Sequence, residues 1–115
     1  ELMDKLMVRR CTQNLGLARR AGQTIIGFDK LRRTLLHHHK GYVFLAHDGG
    51  LKGRKKITQL AGEMPMLCAL TATEIGIAFG RNRVVYAFIL PSGLGDGLFR
   101  DMCRLAGLRE TTLAA

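Results

Sequence analysis

Three runs in this chain are apolar at nearly every position: Tyr42-Val43-Phe44-Leu45-Ala46, Met66-Leu67-Cys68-Ala69-Leu70 and Val84-Val85-Tyr86-Ala87-Phe88-Ile89. A strand with one face in water alternates polar and apolar residues. A strand with no polar positions must be covered on both faces. Thr24-Ile25-Ile26, closed by Gly27, is a shorter β-branched run of the same kind. The segments between these runs have helical periodicity. In residues 2–21, Met3, Met7, Cys11, Leu15 and Ala18 form an apolar stripe, with Arg9, Arg10, Gln13, Arg19 and Arg20 largely off it. Gly22 is a natural left-handed stop. Further helices are expected over about 27–39, 52–62 and 94–106, with a short one capped by Thr71 or Thr73. Strand and helix therefore alternate. The expected fold class is α/β, a three-layer α/β/α sandwich around a largely parallel sheet. At 115 residues, with no linker, repeat or low-complexity tract, the chain suits one domain.

Charge bears on the partner. The chain has 18 Lys plus Arg against 9 Asp plus Glu, for a net charge of +9. On a folded domain, such a balance points to a polyanion, most often nucleic acid. Residues 1–40 hold nine of the cations against three acids, so most of the field comes from that third. No run reaches 18 apolar residues, which argues against a membrane-spanning helix and a membrane partner. Lys5, Arg9 and Arg10 interrupt what would be the apolar core of a secretory signal. Cys11, Cys68 and Cys103 are odd in number and widely spaced. They read as small core hydrophobes in a reducing, cytoplasmic setting, with no disulfide framework or zinc ribbon.

Catalytic and cofactor chemistry find little support. Ser92 is the only serine and lies in Pro91-Ser92-Gly93-Leu94-Gly95, not in a nucleophile elbow. The segment from Gly49 to Lys56 lacks the spacing and hydroxyl of a phosphate loop, and Gly93, Gly95 and Gly97 do not make a dinucleotide fingerprint. His37-His38-His39 are adjacent on a helix end, so their side chains diverge and make a poor metal site. His47-Asp48 could form an acid–base pair, but Asp48 before Gly49-Gly50 reads better as a turn residue. No catalytic residue, metal or cofactor is expected.

The basic residues make the stronger pattern. Arg19 and Arg20 end helix one, and Lys30 and Arg33 lie one turn apart on helix two. Lys52, Arg54, Lys55 and Lys56 begin helix three, and Arg81 and Arg83 flank Asn82 in a loop. Loops that follow parallel strands gather on one edge, so Gly27–Arg33 and His47–Lys56 should share it. Backbone N–H groups at a helix start favour phosphate there. The Arg81 loop joins that edge only if the strand it leads into is antiparallel. Few aromatics lie among these charges, so base stacking along a single strand has poor support.

Asn14-Leu15-Gly16-Leu17-Ala18-Arg19-Arg20-Ala21-Gly22, followed by Ile26-Gly27-Phe28-Asp29-Lys30, resembles the start of the kink-turn-binding ribosomal protein superfamily. This is the class of the archaeal L-seven-A-e and eukaryotic L-thirty-e proteins, and the likeness is greatest to its bacterial YlxQ-type nucleic-acid-binding members. Val43–Asp48, Pro65-Met66 and Glu74–Gly80 follow in matching order, so the resemblance covers roughly residues 10–108. In some bacteria such a domain follows a YlxR-like domain in one chain, which would fit a chain beginning at Glu1. The resemblance implies a four-stranded mixed sheet and sets the Arg81–Arg83 loop beside the start of helix two. It also implies RNA contact through a Gly-x-Asn-Glu segment and a Lys three residues beyond the Glu. The matching positions are Gly27, Asp29, Lys30 and Arg33. Asp29 replaces an amide with a group that only accepts, and Lys30 reverses the sign of the Glu.

The expectation is therefore a non-enzymatic RNA-binding domain for structured, kink-turn-like or ribosomal RNA. Gly27 would permit close approach, Lys30, Arg33, Arg81 and Arg83 would meet phosphates, and Asn82 or Asp29 would touch bases. Further phosphate contacts are expected from Arg19, Arg20, Lys52, Arg54, Lys55 and Lys56. The alternative is a protein-interaction module of the same fold that has lost specific RNA recognition, with ribosome-associated proteins among its partners. A basic edge reads phosphate and not sugar, so DNA stays open.

Overall fold

The computed structural model describes residues 2–38 and 40–114, with side chains as far as Glu110. His39 lies outside the described residues. The elements are α1 (Leu2–Arg20), β1 (Thr24–Ile26), α2 (Phe28–His37), β2 (Tyr42–Leu45), α3 (Leu51–Ala61), β3 (Met66–Leu67), α4 (Ala72–Phe79), β4 (Tyr86–Ile89) and α5 (Gly93–Ala114). The strands form one sheet in the order β1-β4-β2-β3.

β4 runs antiparallel to both neighbours, pairing Ile25 with Phe88 on one side and Val43 with Phe88 on the other. β2 and β3 are parallel. The sheet is therefore four-stranded and mixed, as the resemblance implies, and not largely parallel, as the alternation alone suggests. The all-apolar runs report burial on two faces and say nothing of strand direction.

Strand periodicity divides the core in two. Phe44, Ala87 and Ile89 point into one layer, where they meet Cys11, Leu15 and Ala18 of α1, Ile75 and Phe79 of α4, and Leu98, Met102 and Leu105 of α5. Val43, Leu45 and Phe88 point into the other, against Leu31 and Leu35 of α2 and Ile57 of α3. Helices therefore cover both faces, and the α/β/α sandwich stands.

Several boundaries differ from the periodicity. β3 ends at Leu67 because the next carbonyls leave the ladder: Ala69 O accepts from Arg109 and Leu70 O from the His47 N–H. β4 begins at Tyr86 because the Val84 N–H bonds Ala72 O, which ties that residue to the start of α4. α5 continues past 106 to Ala114. Among the cysteines only Cys11 is fully buried, and burial pushes its thiol up to about 12. Cys68 is half-buried against the α2–α3 layer, and Cys103 is exposed, so the core reading is corrected for Cys103.

Candidate nucleic-acid interface

The interface is built where β1 ends and β4 begins. Gly27 has φ 101° and ψ 149°, a backbone state open almost solely to glycine. Its N–H donates to Tyr86 O at 3.1 Å and its carbonyl accepts from Leu31 N–H at 3.0 Å. One residue thus joins β1 to β4 and starts α2. No side chain caps α2, which leaves the positive end of the helix facing outward.

The loop before β4 reaches the same place because β4 is antiparallel. Gly27, Asp29, Lys30, Arg81 and Arg83 line one concavity, together with Phe28 and Tyr86. The rings of Phe28 and Tyr86 meet edge to face at 5.3 Å. Asp29, Lys30, Arg81 and Arg83 are all exposed. Three of those four side chains are cationic, so the concavity is an electropositive surface with one carboxylate in it.

The loop itself is held from beneath. Arg81 N–H donates to Gly76 O at 2.9 Å. A Cβ on Gly76 would fall 2.5 Å from Arg81 O, so only glycine lets the loop lie this close to α4. On the other side Asp48 Oδ1 accepts from Ala72 N–H at 2.9 Å. That bond chiefly holds the Asp48 carboxyl below its ordinary value, with further lowering from the nearby charges of Arg83 and His47. Asp48 is a turn residue that clasps the start of α4. Among the described residues no hydrogen bond joins the His47 and Asp48 side chains.

Not every expected residue lies in the concavity. Arg33 is exposed one turn further along α2, outside it. Asn82 is exposed and also outside, with its backbone packed toward Gly76. Lys52, Lys55 and Lys56 are exposed at the start of α3. They belong to the same edge, since β1 and β2 both end there and the Tyr86 hydroxyl lies over Gly53 of α3. Arg54 is different. Its Nη2 donates to His47 O at 2.8 Å and Ala46 O at 3.3 Å, so it braces the β2–α3 turn. Arg19 reaches towards Gly80, beside the loop. Arg20 folds along its own helix at Gly16 and lines a groove with Ile77 and Ala78, away from the concavity.

Of the histidine run, His38 packs near Phe88, with ring centroids 6.2 Å apart, and His37 is exposed. No three His, Cys, Asp or Glu gather at metal-ligating geometry among the described residues. No described helix is long and apolar enough to cross a membrane.

The reading of the sequence missed one polar cluster. Arg109 of α5 donates to Glu74 Oε2 at 2.7 Å, Asp4 Oδ1 at 3.0 Å and Ala69 O at 2.8 Å. One guanidinium thereby joins α1, the end of the β3 segment, α4 and α5. Burial pushes the Glu74 carboxyl up, but Arg109 and the Thr71 N–H outweigh it, so the net direction is down. Arg109 lies beyond Gly107, where the apolar period of α5 fades, so its position gave no signal.

No family model and no curated protein matches the chain. A solved structure of a protein of unknown function from Bacillus halodurans is similar, with a TM-score of 0.74 and 23% identity. The match covers 80% of this chain and 95% of that one. This likeness shows the fold, which the two chains share.

Proposed function

We propose that this chain is a non-enzymatic RNA-binding domain that engages structured RNA, of the kink-turn or ribosomal kind, through the edge where β1 ends and β4 begins. The observation that carries the reading is the meeting of Gly27, Lys30, Arg81 and Arg83 in one concavity, from segments more than fifty residues apart. Antiparallel β4 produces that meeting, and the family resemblance expects RNA contact at the same place. Lys30, Arg81 and Arg83 supply charge for phosphates, and the uncapped start of α2 adds backbone donors. Lys52, Lys55 and Lys56 extend the positive edge along α3. Asp29 accepts and does not donate, so base contact there selects an exocyclic amine such as that of cytosine or adenine.

The test is a charge reversal, Lys30→Glu with Arg83→Glu, measured by RNA binding at fixed moderate salt. A loss of tenfold or more supports the reading. Wild-type affinity in a variant of unchanged circular dichroism contradicts it, and favours a protein-interaction module of the same fold.

A further inference from the structure

A second basic cleft lies between α1 and α5, on the sheet face opposite α2 and α3. It is lined by Arg10 and Asn14 from α1 and by Gly97, Arg100, Asp101 and Arg104 from α5. Asp101 is the built part of this site. Its side chain is 7% exposed and accepts from Arg10 Nε at 2.9 Å, whereas the Arg10 side chain is 62% exposed. A buried carboxylate that grips Nε fixes the guanidinium plane and leaves both Nη groups to donate outward. Arg100 lies back over Gly97, its Nη2 3.6 Å from where a Cβ would sit.

Two further carboxylates of these helices are committed elsewhere. Asp4 is tied to Arg109 and Asp96 accepts from the Tyr42 hydroxyl. Arg100 and Arg104 have no carboxylate partner among the described residues. The cleft therefore has a net positive charge, an oriented guanidinium and an amide side chain one turn away.

Its position sets what it can hold. β4 starts beside Gly27 and ends shortly before Gly93, so the cleft lies towards the far end of β4 from the Lys30–Arg83 concavity. The two surfaces lie towards opposite ends of β4 and draw on different helices, so each can meet its own stretch of phosphates. We propose that the α1–α5 cleft is a second phosphodiester-binding surface, which holds a separate segment of RNA while the first surface holds its own. This rests on the RNA-binding reading above, and makes the domain a clamp between two RNA arms.

The experiment uses donor-labelled and acceptor-labelled copies of one structured RNA, mixed at twofold excess over the full chain. Energy transfer reports bridging, anisotropy of a single labelled RNA reports the first binding step, and light scattering reports the mass of the free protein. The wild type should transfer as a monomer. Arg100→Ala with Arg104→Ala should bring transfer to background while the first-step affinity stays within about threefold. The charge-matched control, Lys5→Ala with Lys40→Ala, should keep transfer. Persistent transfer in the arginine variant overturns the proposal, as does equal loss in both variants or bridging by a protein dimer. Intact anisotropy without wild-type transfer sinks the second surface alone, whereas absent anisotropy sinks the RNA-binding reading itself.

Discussion

Arg109 ties α1, α4, α5 and the segment after β3 together. Its side chain is 19% exposed and its two carboxylate partners are 34% and 21% exposed, so solvent screens the cluster only in part. Replacing it with Met leaves Asp4, Glu74 and Ala69 O without their shared donor. A loss of about 2–3 kcal/mol in urea unfolding is expected. The pH dependence has a definite sign. Asp4 and Glu74 are both held below their ordinary values of 3.8 and 4.5, Asp4 chiefly by its bond from Arg109. Their contribution is present above those values and is lost as pH falls through the lowered folded ones. Melting curves from pH 7 to pH 3 should show the wild type losing more stability in acid than Arg109→Met; parallel curves would contradict the clamp. At Gly27 a side chain would bring backbone strain. Gly27→Ala places a side chain at φ 101°, costs roughly 1–3 kcal/mol, and should weaken RNA binding by tilting the start of α2. Gly27 was legible because a glycine closing a β-branched run before a helix has a stated job. Arg109 and Asp101 were not, since a single charged residue on a helix carries no sign of the partner that folding brings to it.

At the scale of elements, α4 is the support of the loop that carries Arg81 and Arg83. Thr71 and Glu74 form a complete capping box: Thr71 Oγ1 accepts from Glu74 N–H and Glu74 Oε1 from Thr71 N–H. Thr71→Ala should cost about 1 kcal/mol and raise hydrogen exchange first in α4 and the 81–83 loop; exchange unchanged in both would show that the cap does not govern the loop. Tyr86 couples α3 to the same edge. A methyl group on Gly53 would fall 1.9 Å from the Tyr86 hydroxyl, so Gly53→Ala should displace that ring and the Phe28 ring that meets it edge to face. Aromatic NMR shifts of Phe28 and Tyr86 read the effect directly. Helices and strands were legible because apolar period and glycine stops are local. Strand direction was not, because apolar runs look alike in either direction. It is strand direction that decides whether the Arg81 loop reaches Gly27. The early end of β3 and the late start of β4 were hidden for a related reason: the carbonyls and N–H groups there bond Arg109, His47 and Ala72, all distant in sequence.

For the molecule as a whole the governing quantity is a charge of +9 on 115 residues. Much of it is spread over two surfaces, one at the β1–α2 edge and one between α1 and α5. Contacts of this kind release counterions, so affinity should fall steeply with salt, by about 0.9 in logarithmic slope for each phosphate neutralised on a duplex. Removing Lys30 and Arg83 should therefore lower the slope by about 2. The charge excess was plain in the sequence. How it divides between two surfaces was not, because that follows from which carboxylates folding commits to internal bonds.

In the proposed function, the edge formed by Gly27, Lys30, Arg81 and Arg83 binds structured RNA. The most direct measurement is fluorescence anisotropy against a kink-turn RNA, a plain RNA duplex, single-stranded RNA and duplex DNA, each titrated across salt. Binding should be tightest to the kink-turn RNA, retained at physiological ionic strength and lost in the Lys30→Glu, Arg83→Glu variant. Equal, weak binding to all four targets that vanishes with salt, in wild type and variant alike, would contradict it.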